Sequence, residues 1–312
     1  MKIYHSIEDF PSDINTVVTI GTFDGVHKGH ITIINRLSKL AKKRGLESVL
    51  LTFDPHPRHV IYKDNQDLRL IHTIEEKIDA LKNTGLHNLV VHKFTKEFSR
   101  IKSLHFIRDI LVNKLNMKFI VVGFNHHFGQ NREGTFDNLI ELSDLYSFQV
   151  EKVKPQNVNM VTISSTKIRK AILNGDFKKA NTYLTSNFFI KAYVKKGNKI
   201  GSKIGFPTAN LEVNNKIKIL PKSGVYAIKA FIHNQQYFGM LNLGFRPTIS
   251  DNSFTIEAHI FDFFGSIYNE QLKIEFIDRI RDEKKFLDLD KLKAQLKVDE
   301  IHCRQIFNLK RY

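Results

Sequence analysis

The spacing of apolar residues changes once along the 312-residue chain, near residue 185, and this change limits the fold more than any other feature. Before it, short β-branched runs alternate with segments of helical period, as in Thr16–Ile20 followed by a helix from about Gly29 to Arg44. After it, apolar runs follow one another across Gly, Asn or Pro turns, up to a terminal helix from about Leu289 to Phe307. We therefore predict an α/β domain with a Rossmann-like parallel sheet over residues 1–185 and an all-β barrel with a C-terminal helix over residues 186–312.

Two local signals refine this pattern. Ser103 is expected to cap a helix that runs to about Leu115, because a serine hydroxyl can accept a hydrogen bond from a free N–H at a helix start. Asn234-Gln235, between the runs Val225–His233 and Tyr237–Leu243, is expected to form a two-residue hairpin turn.

The charge balance limits the class of partner. The chain has 48 Lys and Arg against 32 Asp and Glu, a net charge of +16, which suits nucleic acid, anionic lipid or nucleotide phosphates. The basic residues are scattered, however, and short clusters such as Lys42-Lys43-Arg44 are typical of a solvated face. No apolar run is long enough to span a membrane, and the N-terminus has no apolar core of a signal peptide. We therefore expect neither a nucleic-acid nor a membrane partner.

The single cysteine, Cys303, cannot form an internal disulfide, and no cysteine cluster is present to hold zinc. This usage favours a reducing compartment, the cytoplasm. On a terminal helix, Cys303 itself is expected to be a small packing residue.

The first predicted strand runs into the segment Gly21-Thr22-Phe23-Asp24-Gly25-Val26-His27-Lys28-Gly29-His30. Ligands of parallel sheets bind outside the carboxyl ends of the strands, and the free N–H groups and positive dipole end of a following helix favour phosphate. His27 and His30 are three residues apart, so both can face one ligand as donors to the charge that builds up during adenylyl transfer. Each histidine could instead be an ordinary surface or core residue. The residues expected to bind ATP phosphates are Gly21, Phe23, Asp24, Gly25, His27, Gly29 and His30, with His27 and His30 also catalytic.

A second polar segment, Ile163-Ser164-Ser165-Thr166-Lys167-Ile168-Arg169, closes the predicted α/β domain. Taken alone, it fits a plain helix cap followed by a basic helix. Combined with the first segment, it suggests the far wall of a triphosphate site, where hydroxyls hold phosphate oxygens and an arginine clamps them. The ATP-binding residues expected here are Ser164, Ser165, Thr166 and Arg169.

The predicted barrel contains a Gly- and Lys-rich loop, Gly197–Gly205, followed by Phe206-Pro207-Thr208-Ala209-Asn210. Backbone N–H groups of such loops can cradle phosphates, and Thr208 and Asn210 offer neutral oxygens on one side of an extended segment, as Mg²⁺ accepts. A proline turn with capping side chains is the alternative. Glu257, in a later run, is either a general base for a hydroxyl or an outward-facing strand residue, and periodicity does not separate the two.

Three segments of the first domain resemble the adenylyltransferase module of prokaryotic bifunctional riboflavin kinase/FAD synthetases. They are Gly21–His30, Thr52-Phe53-Asp54-Pro55-His56-Pro57 and Ile163–Arg169, in the order of that family. Gly123–Gly129 stands where the family has a Gly-x-Asp/Asn-Phe-x-Phe-Gly segment, and here His126 replaces an aromatic residue.

The second domain is similar to the riboflavin kinase module of the same family. The matching segments, in family order, are Gly205–Leu211, Gly224–Ala227, Asn242–Thr248, Glu257–His259 and Arg281–Phe286. Two segments depart from the family pattern, Leu184–Phe189 at the start of the module and Ser266–Asn269.

The resemblance implies a nucleotidyltransferase-like α/β domain, residues 1–185, and a six-stranded type of barrel, residues 186–312. It implies two activities, ATP-dependent phosphorylation of riboflavin to FMN in the barrel and adenylation of FMN to FAD, with release of pyrophosphate, in the first domain. Thr208 and Asn210 would hold the Mg²⁺ that accompanies ATP, and Glu257 would be the base for the ribityl hydroxyl. Further residues implied to bind ATP or phosphate are Gly205, Pro207 and Thr208, and those implied to bind flavin are Asn125, Arg246 and Arg281.

Two other hypotheses about the function stay open from the residues alone. One is a nucleotidyltransferase for a different phosphate acceptor, with a barrel that only binds. The other is a basic nucleic-acid-binding protein, for which a steep salt dependence of duplex binding would be expected. The partners predicted are ATP, riboflavin, FMN and FAD, and weak or transient self-association is left open.

Overall fold

The computed structural model describes residues 1–62, 68–124, 126–158, 161–197, 200–245 and 254–309. Its contacts divide the chain into two compact units, Met1–Ser165 and Thr166–Tyr312. The first is an α/β unit and the second is a β-barrel with a C-terminal helix, so the predicted fold class is confirmed. The functional boundary at residues 185 and 186 stays a prediction.

The first unit is built on a six-stranded sheet in which every pair of neighbouring strands is parallel. Its strands lie in the order β1-β4-β3-β2-β5-β6. They are β1 (Lys2–Tyr4), β2 (Thr16–Ile20), β3 (Glu47–Asp54), β4 (Asn88–Lys93), β5 (Met117–Gly123) and β6 (Gln149–Val153), and a two-stranded ribbon follows, β7 (Asn157–Val158) with β8 (Val161–Thr162).

Helices cover both faces of this sheet because the strands are apolar on both sides. Along β2, Val17 belongs to one buried cluster and Val18 to the other. The helices of the unit are α1 (Lys28–Arg44), α2 (Pro57–Ile61), α3 (Ile74–Leu81), α4 (Ser103–His105) continued by a π-helical stretch (Phe106–Lys114), and α5 (Phe136–Ser143). α1 ends at Gly45, whose φ of 65° is the left-handed conformation common at helix ends.

The predicted cap at Ser103 is wrong. Ser103 is the first residue of the helix, Lys102 precedes it without a side-chain cap, and the Ser103 N–H donates to a carboxylate oxygen of Glu133 at 2.9 Å. The N–H of the first helical residue is therefore held by a side chain 30 positions away, which no local pattern could indicate.

The second unit contains a closed barrel with strand order β10-β13-β12-β11-β14-β9, antiparallel throughout. Its strands are β9 (Phe189–Lys195), β10 (Ala209–Glu212), β11 (Gly224–Ile232), β12 (Gln235–Phe245), β13 (Phe254–Ile260) and β14 (Gln271–Arg281). The hairpin between β11 and β12 turns at His233-Asn234, one residue earlier than predicted. Both residues have positive φ, 48° and 65°, as a turn that matches strand twist requires.

The helices that accompany the barrel among the described residues are α6 (Ser165–Leu173), α7 (Phe177–Tyr183), α8 (Ile200–Lys203) and α9 (Leu289–Ile306). α9 packs on the outside of the barrel through a cluster that includes Val225, Ala227, Met240 and Cys303. Burial raises the pKa of the Cys303 thiol to about 12, which agrees with the expected packing role.

Candidate active sites

The loop Gly21–His27 leaves the sheet at its topological switch point. It follows β2, which lies between β3 on one side and β5 on the other. Because the chain moves from β2 outward in both directions, the loops after β2 and β5 are expected to diverge and to leave a crevice at the carboxyl ends of these strands. The sequence prediction placed the phosphate site at this edge.

The backbone of this loop is held in an uncommon conformation. Phe23 and Val26 have φ of 46° and 38°, values that side-chain-bearing residues rarely adopt, and Gly25 has φ of 85°. The buried carboxylate of Asp24 stabilises the loop by accepting hydrogen bonds from the N–H groups of Ile71, at 3.0 and 3.2 Å, and of His72, at 3.1 Å. Strained backbone that its surroundings hold in place is typical of ligand-binding segments.

His27 and His30 lie against each other at the start of α1. Their rings stack with centroids 3.6 Å apart, and Phe23 lies 4.5 Å from the His30 ring. His27 is the N-cap of the helix, and its Nδ1 accepts the His30 backbone N–H at 3.3 Å. This bond assigns the neutral His27 ring its proton on Nε2, which makes that nitrogen a hydrogen-bond donor.

Both imidazoles are kept neutral by their surroundings. Burial lowers the pKa of His27 to about 4. Burial also lowers the pKa of His30 well below its usual value, and the nearby charges of His27, Lys77 and His72 lower it further. The site therefore offers neutral donors and adjacent positive charge, which suits a polyphosphate.

The end of β3 contributes a second layer to this site. Lys77 of α3 is buried, and its Nζ donates to the Thr52 hydroxyl at 3.3 Å. Thr52 in turn donates to the backbone oxygen of Thr22 at 3.3 Å. His56 caps α2 by accepting the Arg58 N–H at 3.2 Å. Sequence reasoning missed Lys77, since a lone lysine in an amphipathic helix carries no local signal of burial.

The segment Ser164–Arg169 meets the loop at one observed point. The Ser165 hydroxyl donates to the backbone oxygen of Asp24 at 2.9 Å, and Ser165 is the first residue of α6. This contact brings the beginning of the second predicted phosphate segment to the first. The phosphate-binding roles of Ser164, Ser165, Thr166 and Arg169 stay predictions.

In the barrel, two of the three residues predicted for the kinase chemistry lie on neighbouring strands, and the third lies just ahead of one of them. Asn210 of β10 is directly opposite Glu257 of β13, and Glu257 is also opposite Asn242 of β12. Thr208 lies two residues before Asn210, just ahead of the strand. Directly opposite residues project from the same face, with Cβ atoms roughly 4.5–5.5 Å apart. The structure thus places Asn210 and Glu257 side by side.

This face is the outside of the barrel. Asn242 is paired with Val225, which belongs to the cluster under α9, and a helix packs only on the outer surface of so narrow a barrel. Ile256 and Ala258, the neighbours of Glu257, are buried, whereas Glu257 is half-buried. Glu257 therefore faces outward, as one interpretation of the sequence allowed, and it lies opposite Asn210, one of the two candidate metal ligands.

The loop before β10 is held against β13. His259 and the backbone oxygen of Pro207 are hydrogen-bonded at 2.7 Å, and the rings of Phe206 and His259 make an edge contact at 5.3 Å. Gly205 has φ of 85°, a conformation that favours glycine. The start of the Phe206–Asn210 segment is thus held against β13, the strand that carries Glu257.

Of the three predicted flavin-binding residues, only Arg281 lies within the described residues; Asn125 and Arg246 fall outside them. The Arg281 guanidinium makes hydrogen bonds of 2.7–3.0 Å to the buried carboxylate of Asp299 in α9. It also donates to the backbone oxygen of Asp282 at 2.9 Å. Arg281 therefore fastens α9 to the barrel, and its contact with flavin stays a prediction.

Comparison with known proteins agrees with this division into two sites. The family model described as FAD synthetase matches residues 9–167, and the one described as riboflavin kinase matches residues 184–307. The bifunctional riboflavin kinase/FMN adenylyltransferases of Listeria monocytogenes and Bacillus subtilis are each 36% identical over 98% of this chain, and the matches cover 97% and 96% of their own lengths. A crystal structure from Streptococcus pneumoniae, named as a macrolide-efflux protein, is 33% identical with a TM-score of 0.87, covering 97% of this chain and 98% of that one.

The two-unit fold and these matches define an enzyme with two transferase modules. The chain belongs to the family of bifunctional riboflavin kinase/FMN adenylyltransferases. Across the described residues, no helix has both the length and the apolar character needed to cross a membrane.

Proposed function

We propose that adenylyl transfer from ATP to FMN takes place at the Gly21–His30 loop and that riboflavin is phosphorylated at the barrel face bearing Thr208, Asn210 and Glu257. The enzyme converts riboflavin to FMN and FMN to FAD, the two reactions of its family. The observation that carries the proposal is the stacked pair His27–His30 at the start of α1, with the His27 proton directed to Nε2 by a backbone hydrogen bond.

The first site supplies donors rather than a nucleophile. The FMN phosphate is itself the attacking group, so the protein has to stabilise the charge that develops on the α-phosphate of ATP. Neutral His27 and His30 can donate to these oxygens, and the positive end of the α1 dipole adds to the effect. The other phosphate-binding residues proposed in this unit are Gly21, Phe23, Asp24, Gly25, Gly29, Ser164 and Ser165, with Thr166 and Arg169 following on α6.

The second site supplies a base. A ribityl hydroxyl attacks poorly until a carboxylate accepts its proton, and Glu257 is the carboxylate next to Asn210. Thr208 and Asn210 offer the hard oxygen ligands that Mg²⁺ prefers, and the metal, when bound with ATP, neutralises phosphate charge. Gly205 and Pro207 would approach the phosphates through their backbone, and Asn125, Arg246 and Arg281 remain the proposed flavin contacts.

Further expectations concern partners and location. The scattered lysines favour no nucleic-acid or membrane partner, and a single buried cysteine fits the reducing cytoplasm. Any self-association is expected to be weak or transient.

One incubation tests the function. The purified chain is mixed with riboflavin, ATP and Mg²⁺, and the flavins are separated by chromatography over time. FMN should appear first and FAD after it, and supplied FMN should give FAD without riboflavin. FAD formation with no phosphorylation of riboflavin would leave the barrel as a binding module, and no flavin turnover at all would overturn the proposal.

A further inference from the structure

Lys77 is a buried lysine close to the Gly21–His27 loop, and the proposed adenylyl transfer gives it no role. Lys77 is only 6% exposed, and its Nζ donates to Thr52, whose hydroxyl donates to the backbone oxygen of Thr22. Lysine is almost never this buried unless its charge is paired or used. The ammonium thus reaches the loop that precedes His27 through a single hydroxyl.

The helix that carries Lys77 is fixed in place at its start. Thr73 and Glu76 form a reciprocal capping box, with distances of 3.0 and 3.3 Å. The Asp24 carboxylate accepts the N–H groups of Ile71 and His72 immediately before it. Two separate connections therefore join α3 to the loop, one through Asp24 and one through Lys77 and Thr52.

Two carboxylates, from two different elements, act on the pKa of Lys77. Asp24 from the loop after β2 and Asp54 from the end of β3 favour its ammonium form, while burial disfavours that form and lowers the pKa of Lys77 to about 8. His30 of α1 lies near enough for the charge of Lys77 to lower the pKa of the His30 imidazole. The charge of His72 lowers the same pKa. At neutral pH, Lys77 is thus a fixed cation next to a neutral histidine.

We propose that Lys77 is a positioning residue for adenylyl transfer. Its ammonium holds the backbone of the loop at Thr22 through the Thr52 hydroxyl and lies near the buried His30 ring, so that loop and ring are in place when the phosphates enter. This inference rests on the proposed adenylyl transfer at the Gly21–His30 loop, and it adds a residue that no local sequence pattern indicates.

The test compares Lys77→Met and Lys77→Arg with Lys82→Met. Lys82 follows the same helix, is exposed and pairs with Asp79 at 2.8 Å, so it is the matched control. Each protein is assayed for FAD formation from supplied FMN, giving kcat and KM for ATP, and for FMN formation from riboflavin. The His30 pKa is followed by NMR titration of the imidazole.

Lys77→Met should lower kcat for FAD formation by about 10²-fold, the size of effect that misplacing reacting groups produces. FMN formation should be unchanged, and the pKa of His30 should rise because a nearby positive charge has been removed. In the parent, FAD formation should decline above about pH 8 as Lys77 loses its proton, whereas Lys77→Arg should lack this decline because arginine stays charged.

The outcomes separate the two proposals. If the parent makes no FAD, the adenylyl-transfer proposal fails. If the parent makes FAD and folded Lys77→Met does so at the parent rate, or if the His30 pKa does not move, Lys77 has no positioning role. Should Lys77→Met not fold, the Lys77→Arg profile decides, and a decline above about pH 8 identical to the parent's would overturn the proposal.

Discussion

A single backbone hydrogen bond sets the chemistry of the paired histidines. The His30 N–H occupies Nδ1 of His27, so the neutral His27 ring carries its proton on Nε2, and the stacking of the two rings orients the second imidazole as well. The sequence shows the spacing of three residues, which brings both side chains to the first turn of the helix. The assignment of the proton requires the helix cap that only the folded chain provides.

His30→Ala should suppress FAD formation while FMN formation continues. Removing one preorganised donor typically lowers the rate about 10²–10³-fold, and the barrel reaction does not use this residue. The measurement is the rate of FAD production from FMN and ATP, with exposed His5→Ala as the control. Normal FAD synthesis by His30→Ala would remove this histidine from the catalytic assignment.

Glu257→Gln should lower kcat for FMN formation by about 10²–10⁴, the range for loss of a general base, because glutamine keeps the shape and removes the basicity. Adenylation of supplied FMN should be nearly unchanged. Glu212→Gln is the matched control, since Glu212 is an exposed residue of the adjacent strand β10 and pairs with Lys195. Parent-like phosphorylation by Glu257→Gln would return Glu257 to the role of an outward strand residue.

At the scale of elements, the strands and long helices follow the apolar pattern, and the differences occur at short elements. β10 has four residues, and the sequence left this segment open between an extended stretch and a proline turn. It forms because β9 and β13 hold it from both sides and so close the barrel. Such pairing partners lie far away in the sequence.

The helix α7 is the element with the largest consequence for the domain boundary. Phe177 is fully buried against Phe276, with ring centroids 4.8 Å apart, and against Phe188 and Tyr226. Asn181 accepts the Phe188 N–H at 2.8 Å and donates to the Phe276 oxygen at 3.0 Å. Residues of α7, which precede position 186, therefore pack against the barrel.

A fragment of residues 166–312 should fold and phosphorylate riboflavin, and a fragment of residues 186–312 should be much less stable. The shorter fragment lacks Phe177, and loss of a buried phenylalanine costs about 3–5 kcal/mol. The measurement is urea unfolding of both fragments together with FMN formation. Phe177→Ala in the longer fragment should reproduce most of the loss; equal stability of the two fragments would show that α7 is dispensable.

At the scale of the whole molecule, the net charge is +16, yet the pKa values of two histidines are lowered to about 4. His27 and His126 are both kept neutral by burial. Between about pH 4 and 6.5 the unfolded chain binds more protons at these positions than the folded chain does, so the free energy of unfolding increases with pH. The contribution of these two histidines to the free energy of unfolding is fully present above pH 6.5 and is lost as the pH falls toward 4.

His27→Asn should reduce this dependence on pH. Asparagine still caps α1 but does not titrate. When the pH is lowered from about 6.5 to 4, the free energy of unfolding should therefore fall by up to about 3 kcal/mol less in the variant than in the parent. Urea unfolding of the full chain across this range is the measurement. Parallel curves for parent and variant would mean that His27 is not buried as a neutral ring.

Periodicity and short motifs depend on neighbours along the chain, so the amino-acid sequence alone indicated the two fold classes and the family, and it predicted the edge of the sheet where phosphate is proposed to bind. Tertiary structure alone decided that Asn210 lies opposite Glu257 on the outer face of the barrel. It also decided that Lys77 reaches Thr52 and that Phe177 closes the barrel. These contacts join residues 25 to 99 positions apart. Which of such residues meet depends on strand register and on the burial of whole elements, and no local spacing encodes either.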